Sequence, residues 1–155
     1  MVNYVKGNLL DSNCHYICHQ VNCRGIMGSG IAKQIREKWP EVYDKYKEAC
    51  SKVIRLYSKP SEHLLGNIQY CPCSSGQVVV NIFSQDNDGC RYTSYDAFAT
   101  ALNKIRMEIP TKNSIGFPKN IGCGLGGGDW RIVSNMIETI LGDTHDVYIY
   151  ELEEI

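Results

Sequence analysis

The most distinctive chemistry in this sequence lies in two glycine-rich segments that each run into a predicted helix. The first covers residues 22–32 and the second covers residues 121–128. Glycine carries no Cβ, so the backbone amides of such loops can approach an anion closely, and a helix that begins directly afterwards adds free N–H groups and the positive end of its dipole. Two such loops suit a diphosphate. The alternative interpretation is that the glycines only form tight turns.

Two common phosphate-binding motifs do not account for these loops. The P-loop pattern GxxxxGK[ST] is absent from the sequence. The nearest match to GxGxxG begins at Gly122, and the acidic residue that a dinucleotide's ribose needs about 20 residues later would fall at Asp143 or Asp146, in a terminal turn. A P-loop nucleotidase and a nicotinamide dehydrogenase are therefore poor fits.

The 8 cysteines raise the question of a metal site or of disulfides. The densest group of possible ligands is Cys14, His15, Cys18 and His19. Its C-x3-C spacing differs from the C-x2-C pairs of structural zinc sites, and on a strand the histidines would face the side opposite Cys18. The first residues lack the basic start and long apolar stretch of a secretion signal. We therefore expect no metal, no other cofactor, and a cytoplasmic protein with free thiols.

Composition argues against a partner held by bulk charge. Lys plus Arg number 16 and Asp plus Glu number 17, a formal net charge of −1, so we expect no bulk binding to nucleic acid and none to a membrane. Binding to RNA is a weaker alternative, because Arg91 and Tyr92 alone do not make a base-stacking platform. No apolar run approaches the length of a membrane span. The 155 residues suffice for one domain over residues 1–155.

The elements that would hold the two loops alternate between strands and helices. Strands are predicted over Val2–Lys6, His15–Gln20, Gln77–Phe83, Asn113–Phe117 and Asp146–Leu152, with further strands and turns between residues 53 and 84. Helices are predicted over residues 29–39, 41–50, 95–105 and 130–141, the last with Asp129 as its N-cap and Gly142 at its end. This order predicts an α/β fold: a single three-layer α/β/α domain with helices on both faces of a central mixed sheet.

Ligands of open α/β sheets bind beyond the carboxyl ends of the strands, where the loops into the helices gather. Both glycine loops follow such strand ends, and the polar segment Ser84–Cys90 follows the strand that is predicted to be most deeply buried. We therefore expect all three segments at one rim of the sheet.

With both loops in view, the sequence resembles the macro domain family, the ADP-ribose-binding fold, over essentially its whole length. The residues that carry the resemblance are Lys6-Gly7-Asn8-Leu9, residues 19–32, Pro118, and the string Ile121-Gly122-Cys123-Gly124-Leu125. That last string resembles the branch that includes terminal ADP-ribose protein glycohydrolase and phage and bacterial proteins that process ADP-ribose 1″-phosphate. The resemblance implies ADP-ribose or an ADP-ribosylated substrate as the ligand, with the first loop around the distal ribose and the second around the diphosphate. We expect a monomer.

The resemblance also implies a set of binding residues. These are Asn8, Leu9, Asn22, Met27, Gly28, Ser29, Gly30, Ile31, Gln85, Ile121, Gly122, Cys123, Gly124, Leu125 and Gly126. Asn8 stands where the family usually has an aspartate that takes the adenine amino group, and its amide oxygen can accept that hydrogen bond without charge. Asn22 matches the asparagine that contacts the distal ribose. Its alternative interpretation is an Asx turn at a strand end.

Two catalytic groups of the glycohydrolase are missing. That enzyme uses a lysine after the central strand and an aspartate after Gly-Cys-Gly-Leu, whereas this chain has Gln85 and Gly126 at those places. An amide cannot form an imine, which argues against a lysyl-ADP-ribose intermediate. We expect a hydrolase of ADP-ribose derivatives, acting on ADP-ribose 1″-phosphate or on ADP-ribosyl adducts, in which Asn22 and Asp129 orient water. A nucleophile and base pair of Cys123 with His19 is less favoured, and a non-catalytic ADP-ribose-binding module is the alternative function.

Overall fold

The computed structural model describes residues 1–28, 30–86, 92–124 and 126–153, and for Asp86 and Tyr92 it describes the backbone. The strands are β1 (Val2–Lys6), β2 (Tyr16–Asn22), β3 (Ile68–Pro72), β4 (Val78–Asp86), β5 (Tyr92–Thr93), β6 (Ile115–Pro118) and β7 (Val147–Glu151). The α-helices are α1 (Gly30–Lys38), α2 (Pro40–Leu56), α3 (Pro60–Leu64), α4 (Tyr95–Glu108) and α5 (Trp130–Leu141). A short 3-10 turn, Leu9–Asp11, follows β1.

One mixed sheet connects these strands. Their order is β1-β7-β6-β2-β4-β3, and β5 pairs with β4. The pairs from β1 across to β4 are all parallel, whereas β3 and β5 run antiparallel to β4. The carboxyl ends of β1, β2, β4, β6 and β7 therefore meet at one rim of the sheet.

Helices cover both faces of this sheet. On one face, α1 and α2 bury Ile35 and Tyr46 against β2 and β4. On the other face, α4 and α5 bury Phe98 and Ile137 against β4, β6 and β7. The predicted three-layer α/β/α fold with a central mixed sheet is confirmed. Among the helices of the described residues, none combines the length and the apolar character that crossing a membrane requires.

The prediction of strands from residue 53 onwards is wrong for the first part of that segment. Helix α2 continues to Leu56 instead of ending at Cys50, and Pro60 begins α3. The helical spacing of Val42, Tyr46 and Cys50 extends to Val53, which packs against the same core. Proline suits the first position of a helix because its missing N–H has no partner there in any case.

The most buried strand is also longer than predicted. Strand β4 continues through Ser84 and Gln85 to Asp86, where the sequence predicts a loop, and Gln85 pairs with Thr93 of β5. Hairpin pairing uses backbone groups, so polar side chains do not prevent it. The rest of the predicted loop, residues 87–90, lies outside the described residues.

The predicted boundaries of α5 are confirmed. Asp129 accepts a hydrogen bond from the N–H of Arg131 at 2.9 Å, which is the side-chain bond of an N-cap, and Gly142 follows the last turn. Ser94 caps α4 in the same manner, through a bond of 3.1 Å from the N–H of Ala97.

His19 is fully buried on β2, the strand that ends at the first glycine loop. Its Nε2 lies 2.5 Å from Asn81 Oδ1, and the Asn81 amide is oriented by donating to Gln69 Oε1 at 3.0 Å. His19 therefore donates through Nε2, and its Nδ1 has no hydrogen-bond partner among the described residues. Burial lowers the pKa of His19 from 6.5 to about 4, because the charged ring would be shut off from bulk solvent and its Nδ1 proton would have no acceptor among the described residues.

This environment predicts a loss of stability in mild acid. The unfolded state binds the His19 proton more tightly than the folded state, so the free energy of unfolding falls as pH drops from 6.5 toward about 4. We expect His19→Gln to flatten this fall, measured by thermal unfolding across the same window. The matched control His15→Gln changes an exposed histidine and leaves the slope as in the unmodified chain. An unchanged slope in His19→Gln would contradict the assignment.

Candidate functional site

A cavity of about 1300 Å³ opens at the rim where the parallel strands end. Its wall comes from five places: the loop after β1, the end of β2 with the loop into α1, the end of β4, the loop after β6, and the end of β7. Both glycine-rich loops contribute to this wall, so the structure brings the two segments together.

Most of the predicted binding residues line this cavity. Those in its wall are Asn8, Leu9, Asn22, Gly28, Gly30, Ile31, Gln85, Ile121, Gly122, Gly124 and Gly126. Met27 is fully buried in the core instead, and Cys123 packs against the apolar cluster under α4 and α5. Ser29 and Leu125 lie outside the described residues.

Asn22 organises the first glycine loop through its side-chain amide. Its Oδ1 accepts hydrogen bonds from the N–H of Arg24 at 3.0 Å and of Ile26 at 3.4 Å, and lies 2.6 Å from the hydroxyl of Tyr46. Its Nδ2 donates to Ile26 O at 2.9 Å. The bond to Arg24 makes this an Asx turn, which is the alternative interpretation of Asn22. Among the described residues, one N–H of the amide has no partner and can serve a ligand.

Tyr46 of α2 holds this turn in place through its hydroxyl group. The residue is buried on α2, and its hydroxyl lies within 2.7 Å of the backbone oxygen of Asn22 while accepting from the N–H of Gly25 at 3.2 Å. Gly25 has a φ of 83°, a conformation that L side chains rarely adopt. The helix layer thus sets the path of the first loop.

The second glycine loop is held by Thr93 of β5. The Thr93 hydroxyl donates to Gly122 O at 2.5 Å, and its N–H donates to Gly126 O at 2.7 Å. Gly122 O also accepts from the N–H of Gly128 at 2.8 Å. The carbonyl groups of Gly122 and Gly126 therefore bond within the protein.

Several amides of the two loops are left for a ligand. In the described part of the chain, the N–H groups of Gly122, Gly124 and Gly126 have no hydrogen-bond partner, and all three residues line the cavity. Gly30 and Ile31, which also line it, begin α1, where the first N–H groups of a helix have no intrahelical acceptor. Backbone amides and a helix N-terminus form an anion-binding arrangement.

Charged side chains in the wall balance one another. Arg24 and Lys119 are basic, whereas Glu151 and Glu153 are acidic. Lys119 Nζ lies 3.2 Å from Glu151 Oε2, and the same oxygen lies 3.2 Å from Lys6 Nζ. These two lysines lower the pKa of Glu151, which keeps it ionised and offsets their charge. Recognition of an anion in this cavity falls mainly to the backbone amides.

The structure does not bring Asp129 into the cavity wall. Its carboxylate caps α5 and pairs with Arg131 at 3.1 Å, and the hydrogen bond from Arg131 lowers the pKa of Asp129. Its own N–H donates to the hydroxyl of Tyr95 at 2.9 Å. Capping directs the carboxylate toward the amides of its own helix. The role of N-cap, which the sequence pattern predicts, therefore explains an aspartate at position 129 without a catalytic role.

Cys123 and His19 do not pair with one another. Cys123 Sγ lies 3.4 Å from Ile121 O, while His19 bonds to Asn81. Burial, and then the charge of Asp129, raise the pKa of the Cys123 thiol, so the thiolate is disfavoured. Nor do three His, Cys, Asp or Glu side chains come together as metal ligands within the described residues.

Some residues in the wall are absent from the sequence-based prediction. Gln20, Lys119 and Asn120 lie there, as do Tyr150 and Glu151 at the end of β7. Their positions at the carboxyl ends of parallel strands are a usable signal, since that rim gathers the ligand contacts of such sheets. Thr93 carried no signal, because its role depends on a hairpin that the sequence pattern did not predict.

We call the two bonds from Thr93 to Gly122 O and Gly126 O the Thr93 clamp. The clamp predicts that an added methyl group at Gly126 destabilises the protein more than one at Gly124 of the same loop. A Cβ on Gly126 would overlap the Thr93 hydroxyl and lie 2.8 Å from Gly122 O, whereas a Cβ on Gly124 meets no heavy atom within 4 Å. We expect Gly126→Ala to lower the free energy of unfolding by about 1–3 kcal/mol. Gly124→Ala is the control, with a change under about 0.5 kcal/mol. Chemical denaturation measures both, and equal effects would exclude the clamp.

No family model matches this chain, but individual proteins are similar to it. The ADP-ribose 1″-phosphate phosphatase of Saccharomyces cerevisiae is 40% identical and aligns over 92% of this chain and 94% of that protein. The DNA ADP-ribosyl glycohydrolase of Mycobacterium tuberculosis is 38% identical over 95% of this chain, which spans 40% of the length of that protein.

Solved structures share the fold. The macrodomain of Mycobacterium tuberculosis DarG superimposes with a TM-score of 0.79 at 24% identity and covers 97% of each chain. Thermosipho africanus DarTG in complex with ADP-ribose gives a TM-score of 0.78 at 22% identity, over 99% of this chain and 43% of that chain. Together with the 40% identity to the yeast phosphatase over nearly its whole length, these likenesses establish that the chain belongs to the macro domain family.

Proposed function

We propose that this chain binds ADP-ribose and hydrolyses ADP-ribose 1″-phosphate to ADP-ribose and inorganic phosphate. The observation that carries the proposal is the convergence of two glycine loops on one cavity at the carboxyl rim of the sheet, with N–H groups that have no partner among the residues the structure describes. Amides arranged in this way hold phosphate oxygens without the need for a cluster of basic side chains. The yeast phosphatase, 40% identical over 94% of its length, supports this choice of substrate.

The size of the cavity supports an extended, dinucleotide-like ligand. Its volume of about 1300 Å³ exceeds the roughly 300–1,000 Å³ that is usual for drug-sized molecules. A ligand with a base, two riboses and a diphosphate can therefore lie along the rim, from the loop after β1 to the loop before α1. In this pose the second glycine loop contacts the diphosphate and the first contacts the distal ribose.

In the proposed reaction the protein positions the substrate, and the phosphate itself accepts a proton. A water oxygen attacks phosphorus, the bond between phosphorus and the 1″-oxygen breaks, and the departing 1″-oxygen takes one proton from the water by way of a phosphate oxygen. Asn22 Oδ1 already accepts from the N–H groups of Arg24 and Ile26 and lies against the Tyr46 hydroxyl, so Asn22 contributes its remaining N–H as a donor to the substrate. Such a donor stabilises the negative charge of the transition state.

Hydrolysis of an ADP-ribosyl adduct is the second candidate, favoured by the 38% identity to a DNA ADP-ribosyl glycohydrolase. The cavity wall carries Gln85 at the end of β4. Terminal ADP-ribose protein glycohydrolase, the enzyme whose loop sequence this chain resembles, has a lysine at that place. A glutamine cannot form a covalent imine with the sugar, so this reaction would have to proceed by direct attack of water. We therefore place it after the phosphatase reaction.

The proposed pose predicts that one added side chain in the second loop blocks binding. Gly124→Glu places bulk and a negative charge in the open space that a phosphate would occupy, and we expect at least a 100-fold weaker affinity for ADP-ribose by calorimetry. Thr111→Glu adds the same charge at an exposed position away from the cavity and is the matched control. Unchanged affinity in Gly124→Glu would show that the loop is only a turn.

A second prediction concerns turnover. Incubation with ADP-ribose 1″-phosphate is expected to release inorganic phosphate, and Asn22→Ala is expected to lower kcat by about 10²-fold through the loss of one donor and of the loop's Asx turn. Asp129→Asn keeps the N-cap and leaves kcat unchanged, because its carboxylate is outside the cavity wall. Release of ADP-ribose from an ADP-ribosylated oligonucleotide would favour the second candidate. Tight binding of ADP-ribose without either product would leave a binding module.

A further inference from the structure

Three polar side chains from β2, β4 and β5 meet behind the second glycine loop, and we call Gln20, Ser84 and Thr93 the polar bridge. Gln20 Nε2 lies 2.9 Å from Ser84 Oγ and 3.1 Å from Thr93 Oγ1. The Thr93 hydroxyl in turn lies 2.5 Å from Gly122 O. Ser84 is fully buried, so this bridge crosses the interior of the domain toward the cavity.

The hydrogen bonds of the bridge run in one direction. A backbone carbonyl only accepts, so the single hydroxyl hydrogen of Thr93 goes to Gly122 O. Thr93 Oγ1 must then accept from Gln20 Nε2, whose other hydrogen is directed at Ser84 Oγ. Each side chain of the bridge is thereby fixed as a donor or an acceptor. A hydroxyl at position 93 is needed to connect the bridge to the backbone of the second loop.

Thr93 reaches the loop at a second point. Its N–H donates to Gly126 O at 2.7 Å, so one residue binds two carbonyl groups that lie four positions apart. A Cβ on Gly122 would lie 2.9 Å from the Thr93 hydroxyl, and a Cβ on Gly126 would overlap it. The loop therefore packs directly on Thr93, with no room for side chains between them.

We propose that Thr93 is a positioning residue for the phosphate groups of the ligand. By holding the carbonyl groups of Gly122 and Gly126, it fixes the part of the loop that lines the cavity, where the N–H groups of Gly122, Gly124 and Gly126 have no hydrogen-bond partner among the described residues. Thr93 itself is not among the residues of the cavity wall, so it acts through the loop. This inference rests on the proposed binding of ADP-ribose and adds a residue to it.

The test compares Thr93→Val, which keeps the shape and the N–H but removes the hydroxyl, with Thr93→Ser, which keeps the hydroxyl. We expect about tenfold weaker binding of ADP-ribose in Thr93→Val by calorimetry, and less than a twofold change in Thr93→Ser. Thr100→Val is the matched control, since Thr100 is exposed on α4 and its hydroxyl donates to Asp96 O within its own helix.

Amide NMR supplies a measurement that a merely structural role would not change. At saturating ADP-ribose, we expect the resonances of Gly28 and Gly30 to shift as in the unmodified chain in both variants. The resonances of Gly124 and Gly126 are expected to shift in Thr93→Ser and not in Thr93→Val. If Thr93→Val does not fold, Thr93→Ala removes the same hydroxyl and carries the same expectation.

The outcomes separate this inference from the function on which it rests. Equal affinity in Thr93→Val and the unmodified chain would overturn the role of Thr93, as would equal losses in the valine and serine variants. Failure of the unmodified chain to bind ADP-ribose would instead overturn the proposed function.

Discussion

The site depends on one constraint: side chains behind the two loops must hold the loop backbones so that the remaining N–H groups are left for a ligand. Asn22 and Tyr46 do this for the first loop by bonding to the backbone of Arg24, Gly25 and Ile26 after the end of β2. Thr93 does it for the second loop from the hairpin on β4. Asn22 ends β2 and Thr93 lies on β5 at the carboxyl rim of the sheet, while Tyr46 reaches that rim from α2. The parallel order of the strands brings the two anion-binding surfaces into one cavity.

The same clamp bears on the chemistry that the cavity can carry. The resembling glycohydrolase has an aspartate at the position of Gly126, but here a Cβ at this position would overlap the Thr93 hydroxyl. The packing of this loop on Thr93 therefore requires glycine at position 126 and leaves no room for a carboxylate there. Replacing Gly126 alone would displace the loop. With Gln85 in place of the lysine and Asp129 engaged as a cap, the chain has a wall suited to holding phosphate groups and few groups suited to proton abstraction.

Much of the fold could be predicted because its signals are local. Apolar spacing and capping residues identified α4 and α5, and the uninterrupted apolar run identified β4 as a buried strand. The start of the segment from residue 53 onwards was predicted wrongly because its proline, Pro60, is a residue type that marks both turns and helix starts. The extension of β4 to Asp86 depends on pairing with β5, which no local pattern reports. The glycine loops were found from composition, whereas the residues that hold them, Tyr46 and Thr93, act through contacts between distant elements.

An anion site made of peptide groups has a chemical property that lysine or histidine sites lack. A peptide N–H does not titrate in the physiological range, and its dipole acts at contact distance, where dissolved ions screen little. A cavity whose charged side chains cancel, as Lys119 and Glu151 do here, therefore attracts no ligand from afar but holds one almost equally well across changes of acidity and ionic strength. Selectivity in such a site depends on shape and distance, because the path of the backbone sets the positions of the N–H groups.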